Sequence, residues 1–140
     1  MHPTDLHIAI SLHVDKLPSG EQKHGQTSVF FERMLKAEGE RKCRVFTKSS
    51  NFIMSEDPST PQFYCGAGTG VVPFIGFMQE RELWLKAGKT LGPAHLFFGC
   101  KYRDVDFIYR EQMTDSVDTK VITELHLAFS REDPKQKLYV

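Results

Sequence analysis

The sequence predicts a mixed fold, a short β-rich stretch followed by an α/β unit built on parallel strands. Three observations carry this. Leu6, Ile8, Ile10, Leu12 and Val14 alternate strictly with His7, Ala9, Ser11 and His13, the period of a strand with one buried face. The segment "SEDPSTP" at 55–61 then breaks the pattern with two prolines among turn formers. After it the order becomes apolar run, glycine turn, helix, apolar run, helix, apolar run, as in parallel strands joined by crossover helices.

The alternating strand leads into "KLPSGEQKHG", a turn region. Thr27 or Ser28 is then placed to cap a short helix through Ala37, with Glu32 and Arg33 facing water and Gly39 ending it. "RKCRVFTK" and "NFIM" read as short strands, the first with Val45 and Phe46 available for burial. The break places a domain boundary between residues 1–57 and 58–140. In the second part Gln62–Cys65 is the first expected strand, and Val72–Ala87 is a helix burying Phe74, Phe77, Met78 and Trp84 or Leu85. "AHLFFGC" is the second strand, "DFIYREQM" a short helix and "ELHLAFS" the third strand. No repeat and no low-complexity tract interrupts this order.

Composition limits the function classes. Lys plus Arg number 18 and Asp plus Glu number 18, so the formal charge of +0 supplies no global field for nucleic acid or an anionic membrane. No apolar run approaches the roughly 20 residues of a membrane span, and the start "MHPTDLH" lacks the pattern of a signal peptide. Cys43, Cys65 and Cys100 are odd in number and widely spaced, which suits a reducing, cytoplasmic compartment. These cysteines and the six histidines match no metal-ligand spacing, so no metal site is expected. Cys43 and Cys65 read as core thiols, Trp84 as a packing residue, and Asp104 and Asp106 as helix-start residues.

The stretch "YCGAGTGVVPF" at 64–74 holds Gly66, Gly68 and Gly70 between an apolar run and an amphipathic one. A dinucleotide fingerprint needs a third glycine where Val71 stands, and a P-loop ending at "GKT" 88–90 needs one where Leu83 stands. Both patterns fail. What remains is a strand, a glycine turn with the Thr69 hydroxyl, and Pro73 near the start of a helix, where its missing N–H costs nothing. Free N–H groups and the positive helix end make such a turn an anion cradle, although glycines also serve a turn that binds nothing. Cations follow both later strands. Lys101 and Arg103 come after Cys100, and Arg131, Lys135 and Lys137 come after the third strand, as a phosphate-bearing ligand or a solvated basic loop would both require.

With "CGAGTGVVPFIGFMQER", "LFFGC", "YRDVDFIYRE", "AFSR" and "KLYV" in order, the chain resembles flavoprotein reductases of the ferredoxin-NADP reductase superfamily. The diflavin branch, and within it the NADPH-haemoprotein reductases, is nearest. The resemblance implies the end of an FAD-binding antiparallel β-barrel, followed by the first half of an NADP-binding Rossmann-like α/β domain. It also re-reads "GQTSVFF": Gly25, Gln26, Thr27 and Ser28 become candidate FAD pyrophosphate contacts, where the residues alone indicated a helix cap. In the second domain it implies Gly68, Thr69 and Gly70 at the NADP pyrophosphate and Cys100 near the nicotinamide-ribose side. It implies Ser130, Arg131, Lys137 and Tyr139 around the 2′-phosphate, residue types that match the task, since Arg forks onto phosphate and Lys adds charge.

Gln26 departs from the family's usual Val, Ala67 from Pro, and Val72 from Ala. The family's Arg-x-Tyr-Ser flavin motif, its Cys-Gly-Asp segment and its C-terminal aromatic do not occur, so the resemblance implies an internal piece of a longer reductase or an unusually reduced member. The expected function is an oxidoreductase module passing electrons from NADPH through FAD towards a haem-protein-type acceptor, with no side chain of this stretch assigned a catalytic role. FMN is expected only with a separate flavodoxin-like domain, and endoplasmic-reticulum anchoring only through a segment outside this stretch. The rival expectation is a truncated, non-catalytic NADP-binding fragment.

Overall fold

A computed structural model describes residues 6–133, 135 and 137–140. The chain divides into two compact units, Ala9–Phe52 and a second formed by Ile53–Val140 together with residues 6–8.

The first unit is small and largely open to solvent. Strands β1 (Val14–Lys16) and β2 (Gln22–His24) pair antiparallel, with Val14 opposite His24, and a turn closed by Leu17 and Glu21 joins them. Helix α1 (Gln26–Lys36) follows at once from Gly25, whose extended φ of −66° and ψ of 126° suit the residue before a helix. The strand expected from Leu6 to Val14 is thus confined to its last residue. Leu6, Ile8, Ile10 and Leu12 are exposed, because alternation becomes a strand only where a neighbour accepts its backbone hydrogen bonds. The same reason removes the strands expected at 41–48 and 51–54, where Val45, Phe46, Phe52 and Ile53 are exposed and the backbone is irregular. Among the described residues this unit has two paired strands and no barrel.

The second unit is the α/β fold. Three parallel strands, β3 (Gln62–Ala67), β4 (Ala94–Cys100) and β5 (Glu124–Phe129), lie in the order β3-β4-β5. A 3-10 turn (Gly68–Val71) and helix α2 (Val72–Lys86) connect the first two. A single helical turn α3 (Arg103–Asp106) and helix α4 (Arg110–Asp118) connect the last two. Helix α2 forms because Pro73 fits its first turn and Phe74, Ile75, Met78 and Arg81 repeat on one buried face. It ends at Lys86, and Gly88 just beyond takes a φ of +76°. Phe77 and Trp84 are half-buried and Leu85 is exposed.

The expected helix at 106–113 is shifted. Tyr109 adopts a left-handed φ of 54° and separates α3 from α4, while the Asp106 carboxylate accepts the Tyr102 N–H at 3.0 Å. Phe107 between them is buried and stacks on Phe98 with ring centroids 5.1 Å apart. That anchoring interrupts the helix.

One sheet face packs on the helices. Leu96, Phe98, Met113 and Val71 are fully buried there, each contributing roughly 1.5–3 kcal/mol of apolar transfer. The opposite face carries Phe63, Cys65, His95, Phe97, Glu124 and His126 and is partly open. Cys65 is therefore exposed, as is Cys43, which corrects the expectation of two core thiols. The cause is strand alternation, which turns Cys65 away from buried Tyr64. Among the described residues no helix is long and apolar enough to cross a membrane.

Among the described residues Arg81 is the one charged side chain buried in this core. Its Nε donates to the Val121 carbonyl at 2.8 Å and its Nη2 to the Gly92 carbonyl at 2.6 Å. Helix α2 is thereby tied to the chain entering β4 and the chain entering β5. Burial pushes the guanidinium below its ordinary value, and the neighbouring Tyr64 opposes this. Arg81→Met keeps much of the apolar stem but leaves two buried carbonyls without donors, a loss of about 1–3 kcal/mol for each such group. Urea unfolding should show Arg81→Met less stable by about 2–3 kcal/mol and Arg81→Lys, which reaches one carbonyl, by less; equal stability of Arg81→Met and the parent chain would refute the tie.

Candidate functional site

Register decides which loops meet. Ala67 pairs with Gly99, and Gly99 with Ala128, so all three strands end at one level. The segments after them therefore share the carboxyl edge of the sheet, where open α/β folds bind their ligands.

The first segment is the glycine turn. A Cβ on Gly66 would lie 2.9 Å from the Gly70 carbonyl oxygen and from Val71 N and Cα, so the turn folds directly onto the strand it leaves. Gly68 takes a φ of +52°, a region that favours glycine. The turn enters α2 without an acidic residue in the first turn and without a side-chain cap. The N–H groups of its first residues lack intrahelical acceptors and carry the positive helix end. The Val72 N–H donates to the Thr69 carbonyl, and the side of Gly70 where a Cβ would stand is open.

The second segment begins at Cys100. Its Sγ lies 3.6 Å from the Tyr102 carbonyl, and burial pushes the thiol above its usual range, aided by Asp106 and Glu132 and opposed by Arg103. A shift in this direction favours the thiol over the thiolate, the opposite of what activates a nucleophile. Arg103 stacks over the Phe129 ring at 4.2 Å, its N–H donates to Glu132 at 2.8 Å, and its Nε lies 3.8 Å from the same carboxylate. Arg103 is therefore already engaged.

The third segment extends the ladder past β5. Ser130 N–H donates to the Cys100 carbonyl at 2.9 Å and Arg131 N–H to the Lys101 carbonyl at 3.1 Å. Ser130 thus lies beside Cys100, and Arg131 beside Lys101. The Arg131 side chain is exposed and, among the described residues, has no ion-pair partner. Lys137 and Tyr139 are exposed, and Val140 lies against Gly99, where a Cβ would be 2.9 Å from Val140 Cγ2. The chain after β5 therefore returns to the end of β4.

Gly25, Gln26, Thr27 and Ser28 lie in the other unit, at the start of α1. The Ser28 hydroxyl is turned inward, donating to the Gly25 carbonyl at 3.2 Å and accepting His13 N–H at 3.3 Å. The helix start has no side-chain cap and no acidic residue in its first turn, so its leading N–H groups are unclaimed within the helix. Neither Thr27 nor Ser28 caps the helix as the sequence suggested.

One cluster of donors comes together only in the fold. His95, Glu124 and His126 bring three donor atoms within 4.8 Å of one another. His95 and Glu124 are 29 positions apart in the sequence, and only parallel register makes them neighbours. The signal available in the sequence was Glu-x-His in a strand, which puts two donors on one face.

No family model matches the chain. The whole chain is similar to NADPH–cytochrome P450 reductase of Musca domestica, 37% identical over 140 residues and covering 21% of that protein. It is similarly related to the enzyme of that name from Drosophila melanogaster, 38% identical over 141 residues and covering 20% of it. In Bacillus subtilis, bifunctional cytochrome P450/NADPH–P450 reductase 1 is 47% identical over 96 residues, 69% of this chain and 9% of that protein. The chain spans about a fifth of the length of the curated relatives it matches throughout.

The thiol environments give a direct check. Iodoacetamide at neutral pH should modify exposed Cys43 and Cys65 well before Cys100, and the alkylation rate of Cys100 should keep rising with pH above the usual thiol range. Peptide mass mapping in which Cys100 reacts first would contradict this assignment.

Proposed function

We propose that this chain, homologous along its length to a segment of the NADPH–cytochrome P450 reductases, is the nucleotide-handling part of an NADPH-dependent flavin oxidoreductase whose electrons pass to a haem protein. The observation that carries the reading is the common level of the three strand ends, with the turn Gly68–Gly70, Cys100 and Ser130 following at one edge. An extended dinucleotide needs such a row of contacts on successive strands.

The residues fit the group. The turn offers backbone N–H donors and open space at Gly70 for a pyrophosphate, and Thr69 adds a hydroxyl. Ser130, Arg131, Lys137 and Tyr139 offer hydroxyl, fork, charge and ring to a 2′-phosphate, with Arg131 free of ion pairing among the described residues. Cys100, held protonated, supplies a neutral wall beside the turn on the nicotinamide side. In the other unit the start of α1, from Gly25 to Ser28, fits a flavin pyrophosphate through its leading N–H groups, and the β1–β2 hairpin before it corresponds in this reading to one edge of an FAD barrel.

When bound, NADPH and FAD supply the hydride chemistry, and the chain's contribution is binding, orientation and electrostatics. FMN enters only with a further flavodoxin-like domain, the acceptor is a haem protein, and the location is cytoplasmic with anchoring left to other segments.

A second reading, a non-catalytic NADP-binding fragment, is favoured by the absence of a barrel among the described residues. On that reading the purified chain retains no FAD and NADPH turnover stays below about 1 per second. A yellow preparation with stoichiometric flavin would exclude the second reading.

Nucleotide choice tests the site itself. Arg131→Ala should weaken binding of 2′,5′-ADP about tenfold, a charge-assisted fork partly screened by salt, while leaving 5′-AMP almost unchanged. Calorimetry showing equal losses for both ligands, or no preference of the parent chain for 2′,5′-ADP, would remove Arg131 from the phosphate.

A further inference from the structure

The open face of the sheet carries a group of donors that nucleotide binding does not use. His95 on β4 pairs in register with Glu124 on β5, and His126 stands two residues further on the same face of β5. His95 Nδ1 lies 3.4 Å from His126 Nε2, His126 Nε2 lies 3.2 Å from Glu124 Oε2, and His95 Nδ1 lies 3.6 Å from that same oxygen. We propose that these three side chains form a binding site for a divalent zinc-type cation, joining β4 to β5 and leaving one coordination position to solvent.

The magnitudes select the ion class. Three atoms with these separations lie about 2.0 Å from a common centre, the length of a zinc–imidazole or zinc–carboxylate bond. Ligands of a tetrahedral ion at that distance stand about 3.3 Å apart, whereas an octahedral ion brings neighbouring ligands to about 2.9 Å. The observed spacings match the tetrahedron. Two imidazoles and one carboxylate are the borderline-soft set that suits zinc, with cobalt and nickel as close substitutes.

The surroundings hold the donors in place. The His95 ring stacks on Phe63 with centroids 5.3 Å apart and an interplanar angle of 14°. The His126 ring stacks on Phe97 at 4.3 Å and 10°. Both imidazoles rise from paired strands, which fixes their backbones more firmly than loops would. The two ring nitrogens face each other as hydrogen-bond partners, with donor and acceptor set by tautomer. An ion takes the place of the shared proton once both nitrogens are bare; the rings, 16° apart in plane with centroids 5.7 Å apart, turn to aim both lone pairs at the common centre. Each group is partly exposed, with side-chain exposures of 25% for His95, 38% for His126 and 58% for Glu124, so an ion has access from solvent.

The test uses the full chain and is independent of nucleotide, so its failure leaves the reductase reading standing. Calorimetric titration with Zn²⁺ should give one ion per chain. His126→Ala and His95→Ala should each weaken it about 100-fold or more, beyond the 10–100-fold typical of losing an outer-shell partner, and Glu124→Gln should weaken it as well. Cys65→Ser, on the same sheet face, should leave the affinity unchanged, and far-UV circular dichroism should match for all variants. Co²⁺ should give the intense visible bands of a tetrahedral ion. Unchanged affinity in a folded His95→Ala/His126→Ala double variant, no binding by the parent chain, or the weak spectrum of octahedral Co²⁺ would each overturn the proposal.

Discussion

The structure around the candidate site depends on one close approach, the backbone of Gly70 and Val71 folded against Gly66. A side chain at Gly66 would meet three backbone atoms at 2.9 Å, so the turn can return onto β3 only because the residue is glycine. That contact sets where α2 begins and buries Val71 completely. The rest of α2 then lies along the sheet with Phe74, Ile75 and Met78 inward. The turn itself therefore lies at the carboxyl edge of the sheet as a consequence of the same packing.

Arg81 closes the other end of this arrangement. A guanidinium with 1% exposure is costly in an apolar core, and its two carbonyl acceptors offset the cost. Both acceptors lie in chain segments entering strands, at Gly92 before β4 and Val121 before β5. The fork therefore fixes the amino ends of the strands relative to α2, while Gly66 fixes the carboxyl end of β3. Between these constraints the strand register is set, and register is what aligns Gly68, Cys100 and Ser130.

The two sheet faces then have different chemistry. Leu96 and Phe98 bury one face against the helices, while the alternate residues, His95 and Phe97, meet Glu124, His126, Phe63 and Cys65 on the other. A parallel sheet is usually covered on both faces, and the second face here carries aromatic rings and imidazoles. His95 stacks on Phe63 and His126 on Phe97, and the parallel register brings their nitrogens beside Glu124.

The α/β half was legible in the sequence because its signals are local. An apolar run bounded by turn formers, Pro73 at a helix start and Gly88 after its end each act through a few neighbouring residues, and the strand at 94–100 and the turn at 68–70 followed directly. The stretches 6–13 and 41–54 have equal β pattern but irregular structure, since pairing requires a partner strand and pattern alone cannot provide one. Tyr109 broke an expected helix because Phe107 found a place under Phe98. By itself, then, the sequence determined the strand–turn–helix order and the residue types at each turn, through short-range backbone preferences. Only the tertiary structure decided that Cys65 faces outward, that Arg81 is buried, and that His95 meets Glu124 and His126. Those outcomes follow from register and packing between residues tens of positions apart, distances over which local preference has no reach.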